Sequence, residues 1–146
     1  MASHQMTVRH KVPGCISRQY YKSVLAGESQ SEFNSLVEVL PGASKSDSQQ
    51  LNRNLLLSEG ASAFSRPRLR IDTDDVSANH GSATGQIEED ELFYLQSRGL
   101  SEKKARAVLV EGFAEEIAGE INEKSLKSNL ETMIHRGIEE LMGGIK

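Results

Sequence analysis

Short apolar runs separated by polar, turn-rich stretches fill the first half of the chain. Tyr20–Leu25, Leu36–Leu40, Asn54–Ser58 and Leu69–Ile71 are rich in apolar or β-branched residues. The intervening segments Ala26–Ser31, Pro41–Gln50 and Glu59–Pro67 carry Ser, Gly, Asn, Asp and Pro. Such punctuation predicts strands, and successive runs begin roughly 15 residues apart, as rungs of a repeated unit would. Two architectures fit this spacing: an antiparallel sandwich, or a solenoid of stacked parallel strands. Asn-Gly and Asp-Gly pairs, the usual tight-hairpin turns, are absent, and the longer polar connections suit a parallel β-helix better.

From Gln86 onward the period changes to that of helices. Glu88, Glu89, Asp90 and Glu91 precede Leu92, Phe93 and Leu95, and Gly99 follows. Acidic residues at the start and glycine beyond the end match a helix macrodipole and a left-handed stop, predicting a helix over 88–98. Ser101 stands where an N-cap belongs, and Ala105, Val108, Leu109, Phe113, Ile117 and Ile121 follow at three- or four-residue steps. A third helix is expected over Lys124–Met142, with Gly143–Lys146 as a frayed tail. The division is therefore 1–9 as a flexible segment or appended remnant, 10–86 as a β portion and 87–146 as a helical subdomain.

Composition narrows the class. The chain has 146 residues, a hydrophobic fraction of 37% and a net charge of −4, which suits a folded domain and disfavours nucleic acid as a partner. No apolar run is long enough for a bilayer span, Met1–His10 lacks the apolar centre of a signal peptide, and the single Cys15 excludes an internal disulfide. A soluble cytoplasmic protein with no membrane partner is the expectation.

Candidate chemistry is sparse. There is no Cys-x-x-Cys, His-Glu-x-x-His or Walker-type loop, and Gly81–Gly85 lacks the following Lys-Ser/Thr that phosphate binding needs. Gly81–Gly85 is read as a chain reversal leading into the first helix. His80, between Asp74-Asp75-Val76 and Gly81, could serve as a surface imidazole or as a metal- or proton-handling group. His4 and His10 fall in the N-terminal stretch, and His135 is expected to be solvated on the third helix. Cys15 has no second cysteine, and Asp72, Asp74 and Asp75 are ordinary turn chemistry.

One ordered series is more specific. Arg66-Pro67-Arg68-Leu69-Arg70-Ile71, Asp74-Asp75-Val76, His80-Gly81-Ser82-Ala83-Thr84-Gly85 and Leu92-Phe93-Tyr94-Leu95-Gln96-Ser97-Arg98-Gly99-Leu100 follow one another. This succession resembles the C-terminal region of the SufB/SufD iron–sulfur cluster assembly scaffolds. Ser17, Gln19, Tyr21-Lys22, Phe33 and Gln50-Leu51-Asn52 extend the likeness upstream, over residues 10–120. The resemblance implies a right-handed parallel β-helix followed by a small helical subdomain, and a non-enzymatic scaffold. It implies that a SufC-like ABC ATPase docks on the helices, through Leu92, Phe93, Tyr94, Arg98, Gly99 and Phe113. It further implies pairing with a SufB-like or SufD-like chain through the β part, with His80 as the cluster-assembly residue and candidate metal ligand.

No tightly bound cofactor is expected, only a transient iron–sulfur cluster at an interface with a partner chain. A homodimer covering an exposed end is also expected. Asn52 stands near the place of a cysteine used by SufB-type chains for sulfur transfer, which favours the SufD type. The large upstream part of the family has no counterpart, so the chain is expected to be an excised piece or a short relative. The competing readings are a β-solenoid interaction module unrelated to cluster assembly and a metal-dependent enzyme using His80 with Asp74 or Asp75.

Overall fold

The computed structural model describes residues 1–144. Six strands precede three α-helices and one short 3-10 turn: β1 (Ala2–His10), β2 (Ile16–Leu25), β3 (Gln30–Val39), β4 (Asp47–Leu56), β5 (Ser62–Ile71), β6 (Ser77–Gly85), α1 (Glu89–Ser97), α2 (Glu102–Glu115) and α3 (Lys124–Gly144), with the turn at Ala118–Glu120. The strands form two three-stranded sheets, ordered β1-β3-β5 and β2-β4-β6, and every pairing is parallel.

This arrangement corrects the expected right-handed parallel β-helix. Consecutive strands alternate between two separate sheets, joined by connections of only four to seven residues. Each repeat thus supplies one strand to each sheet, and no further strand among the described residues closes a coil. The antiparallel sandwich is excluded by the same parallel pairing. Parallel strands need crossover connections, and here the strand of the opposite sheet serves as part of each crossover.

Two further segments differ from the sequence reading. Of residues 1–9, set apart as flexible, Ala2 to Arg9 lie in β1, which pairs with β3 from Ala2↔Ser31 to His10↔Val39. Gly81–Gly85, read as a chain reversal, belongs to β6 and pairs with β4 from Leu51↔Gly81 to Leu55↔Gly85. Both are weak strand formers by composition, and the ladder of a ready-made neighbour overrides that preference. Of the expected tail, Gly143 and Gly144 continue α3, and the last two residues lie outside the described residues.

The space between the sheets is filled from both sides by alternate residues. From β3 it receives Phe33, Ser35, Val37 and Val39, and from β4 Ser48, Gln50, Asn52 and Asn54, all buried. Ser35 Oγ donates to Gln50 Oε1 at 2.8 Å and Asn52 Nδ2 to Ser65 Oγ at 3.0 Å, each crossing from one sheet to the other. The Tyr21 and Phe33 rings meet at 4.5 Å between centroids. Burying Phe33, Val37 and Val39 contributes about 1.5–3 kcal/mol each. The amides contribute less on balance, because each must recover the hydrogen bonds it gave up to water.

The opposite face of the β2-β4-β6 sheet carries the helices. Leu55, Val110, Ile138 and Met142 form the buried centre there, with Val24, Leu57, Ile87, Phe113 and Ile134 around them. Lys22 and Arg53 reach from the sheet to α2. The Phe113 ring lies 4.4 Å from Lys22 Nζ and 5.4 Å from Arg53 Cζ, and both cations pair with the Glu116 carboxylate. The hydrogen bond from Lys22, aided by both positive charges, holds the Glu116 carboxyl below its ordinary pKa.

The turns stack as the strands do. Gly14, Lys45 and Asp75 all have positive φ, at 70°, 58° and 57°. Gly14 N–H donates to Ser44 C=O at 2.9 Å, and Lys45 N–H donates to Asp75 C=O. A left-handed backbone costs a non-glycine residue roughly 1–2 kcal/mol. A Cβ added at Gly14 meets nothing within 4 Å, so the cost there is backbone strain alone. Gly14→Ala should therefore destabilise the chain by about 1–2 kcal/mol. Lys45→Gly should stabilise it by about 0.5–1 kcal/mol, the relieved strain less glycine's own entropy. Urea-unfolding midpoints at constant m-value check both signs.

Candidate functional site

His80 sits in the middle of β6, the edge strand of its sheet, and is exposed. In register it stands beside Gln50, which in turn stands beside Gln19. The three form one row across the sheet on the face that looks between the two sheets. Parallel rows flank it: Ser17, Ser48 and Ala78 on one side, Tyr21, Asn52 and Ser82 on the other, then Ser23, Asn54 and Thr84. Neighbouring strands lie about 4.8 Å apart, so groups in one row are within reach of each other or of one bridging water.

The row runs from buried to open. Gln19, Gln50 and Asn52 are buried, whereas His80, Ser82 and Thr84 on β6 are exposed. Asn54 Nδ2 donates to Thr84 Oγ1 at 3.2 Å, and Ser17 Oγ donates to Ser48 Oγ at 3.0 Å. Gln50 uses its carbonyl to accept from Ser35, while its Nε2 and the Oε1 of Gln19 are buried without a protein partner. A donor and an acceptor left over on adjacent residues of one row mark a polar interior that ends at the His80 imidazole.

His80 stands alone as a ligand type. Among the described residues no three His, Cys, Asp or Glu side chains are grouped as a metal site. Asp74 and Asp75 belong to the turn before β6, where Asp75 supplies a left-handed position, and Asp72 pairs with Arg70 at 2.8 Å. These placements fit the turn reading. Cys15 lies in the turn between β1 and β2, its Sγ donating to Val12 C=O at 3.2 Å. His10 is buried, with Nε2 2.8 Å from Ser17 Oγ.

The expected docking residues divide by orientation. On α1, Phe93 and Tyr94 are 72% and 57% exposed, and the Arg98 guanidinium lies 5.2 Å from the Tyr94 ring centre. Leu92 points inward and is buried. Gly99, at φ 92°, ends α1 in a Schellman turn: Leu100 N–H reaches Leu95 C=O and Gly99 N–H reaches Gln96 C=O. Phe113 is engaged within the chain by Lys22 and Arg53, as described above. Ser101 Oγ caps α2 by accepting from Lys104 N–H at 3.4 Å.

Comparison with known proteins decides the family. Residues 1–113 match the family described as SUF system FeS cluster assembly, SufBD core domain. The chain belongs to the SufB/SufD family. It is 33% identical over 123 residues to the iron-sulfur cluster assembly protein SufD of Escherichia coli, covering 84% of this chain and 29% of that protein. A SufBD family protein of Mycobacterium leprae is 39% identical over 134 residues, covering 86% of this chain and 34% of the relative. The chloroplastic protein ABCI7 of Arabidopsis thaliana is 40% identical over 106 residues, 72% of this chain and 22% of the relative. The chain thus spans about a third or less of the length of these relatives. No helix among the described residues is long and apolar enough to cross a membrane.

Sequence reasoning missed the polar row that leads to His80. A signal was present: Ser-x-Gln occurs at 17–19 and again at 48–50, and these residues pair in register. Self-comparison at an offset of 31 would have exposed both the repeat and its buried amides.

His135 is exposed, as expected, and it is also paired. Its Nδ1 lies 2.7 Å from Glu111 Oε1 on α2, and its Nε2 3.4 Å from Glu139 Oε1. The hydrogen bond to Glu111, with the charges of Glu139, Glu111 and Glu115, raises its pKa above the ordinary 6.5. A raised folded-state pKa means this tie between α2 and α3 contributes fully below pH 6.5 and is lost as pH rises through the higher value. Thermal midpoints of the chain and of His135→Gln, compared across that range, should show a gap that closes as pH rises. A gap independent of pH would contradict the assignment.

Proposed function

We propose that this chain is a non-enzymatic scaffold component of a SUF-type iron–sulfur cluster assembly complex, acting as a presenting surface for partners. What supports this reading above all is that its candidate groups are displayed outward: His80 on an open edge strand, Phe93 and Tyr94 on the exposed side of α1. Family membership supplies the setting, and the geometry argues for division of labour between the two faces of one sheet.

On this reading β6 pairs with the edge of a second scaffold chain, SufB-like or SufD-like. Ser77–Gly85 carries no charged residue and no proline, the usual devices that blunt an edge strand, whereas β5 carries Pro67 and three arginines. Pairing at β6 brings His80 against the partner. The nascent cluster is cargo held at that junction, with His80 giving one imidazole nitrogen and the partner the remaining ligands. On this reading the proton-bearing ring nitrogen of His80 donates to an amide oxygen of the row behind it, Gln50 Oε1 or, through a bridging water, Gln19 Oε1, which fixes the ring.

The second contact is with a SufC-like ATPase through α1. An exposed Phe-Tyr pair with an arginine over one ring is the composition of an interface anchor, since aromatic and arginine side chains carry most binding energy at protein contacts. A pull-down of the chain against a SufC-type ATPase tests the dock. Replacing Phe93 and Tyr94 together by Ala should weaken retention by about tenfold or more, with helix content unchanged by circular dichroism. Undiminished binding by that folded variant would remove α1 from the interface. No binding by the parent chain would count against the ATPase partnership itself.

A further inference from the structure

The outer face of the β1-β3-β5 sheet is the face opposite the polar interior and is not covered by the helices. Strand alternation puts Phe64, Arg66, Arg68 and Arg70 of β5 on it, since Ser65, Pro67 and Leu69 turn the other way. Arg9 of β1 and Glu32, Asn34, Leu36 and Glu38 of β3 share that face by register. A chain with a net charge of −4 thus concentrates four arginines on one sheet surface.

Their pairing is uneven. Arg66 donates to Glu32 at 2.8 Å, and Arg9 and Arg70 share Glu38, Arg70 also holding Asp72. The Arg9 hydrogen bond holds the Glu38 carboxyl below its ordinary pKa, so it is ionised and occupied. Arg68 stands opposite Leu36, which offers no acceptor, and makes no ion pair among the described residues. It is exposed, and β5 is an edge strand with no further neighbour to supply a carboxylate. Arg66 and Arg70 are 66% and 62% exposed despite their partners. The result is a row of three guanidiniums at alternate positions of one strand, its centre unneutralised, with an exposed Phe64 ring at one end.

We propose that this row binds an extended acidic segment of a protein partner, with carboxylates at alternate positions. Same-face residues on a strand recur about every 6.6 Å, so the guanidiniums of Arg66, Arg68 and Arg70 match carboxylates at i, i+2 and i+4 of an extended peptide. A guanidinium takes a carboxylate through two parallel N–H bonds, which gives geometry as well as energy. Arg68 makes the new forked contact, and Arg66 and Arg70 use donors left free by Glu32, Glu38 and Asp72. An apolar residue at the peptide's end rests on Phe64. A phosphate polymer fits less well: Glu32, Glu38 and Asp72 lie within the array, and the affinity of such polymers comes from many uncompensated cations acting together. The face is distinct from β6 and from α1, so this contact is independent of the scaffold pairing and the ATPase dock.

The test is fluorescence polarisation of the intact chain with a labelled peptide of alternating Glu and Val. Saturable binding that falls about tenfold or more in Arg68→Glu, and less in Arg68→Gln, is expected. Arg136→Glu, the same charge change on exposed α3, should leave it unaltered. Circular dichroism of each variant checks that the exposed substitutions keep the fold. The proposal is overturned if the peptide fails to bind, or if Arg136→Glu weakens it as much. It is equally overturned if a peptide with its glutamates in one block binds as well, or if oligo-dT binds more tightly than the peptide.

Discussion

In-register parallel stacking is the constraint on which the rest of this molecule depends. Paired residues are 29 to 32 positions apart in every ladder, so each strand lays its side chains directly beside those of the strand one repeat earlier. Inward positions then form rows, and a polar residue in a row can be buried only if its row or the facing sheet satisfies it. Gln50 and Asn52 meet that requirement in part through Ser35 and Ser65 of the opposite sheet. The same rule makes β6 special. It is the last member of its rows, so the groups it carries have a buried neighbour on one side and none on the other, and His80 inherits a polar floor with an open front.

The helices depend on the same sheet from its other side. Val24 and Leu55 are outward residues of β2 and β4, and they seat Val110, Ile138 and Met142. Lys22 and Arg53, two further outward residues, fasten α2 by bracketing Phe113 and sharing Glu116. One sheet therefore carries the histidine on one face and anchors the helical unit on the other. That unit presents Phe93 and Tyr94 away from the sheet. In the proposed assembly, partners at β6 and at α1 are joined through the three-stranded β2-β4-β6 ladder and the Lys22 and Arg53 clamp on Phe113 and Glu116.

The helical half was legible because its signals are local. Ser101, Gly99 and the acidic run ahead of Leu92 mark ends by capping and dipole chemistry that needs no tertiary partner, and all three stand where the sequence placed them. The strands were legible only where apolar runs coincide with burial, as at Leu36–Val39. β1 and β6 escaped notice because their residues are held by pairing to β3 and β4 rather than by propensity. The closed β-helix expectation failed for a related reason: a repeat near 15 residues per strand fixes strand spacing, but says nothing of how many sheets the strands divide between. His80 itself was found by its motif, whereas Gln19 and Gln50, which line its approach, look in sequence like surface amides. Phe113, expected at a partner contact, is half-buried against Lys22 and Arg53, a placement that a helix period alone does not reveal.

Hydrogen exchange measured by mass spectrometry on the chain alone, with a SufB-like scaffold chain, and with a SufC-like ATPase addresses the central claim directly. The account predicts that the scaffold chain protects the backbone amides of residues 77–85 while leaving 89–97 unchanged, and that the ATPase does the reverse. Protection of the helices by the scaffold chain with no change at residues 77–85 would contradict it, because the open edge beside His80 would then not be the meeting surface.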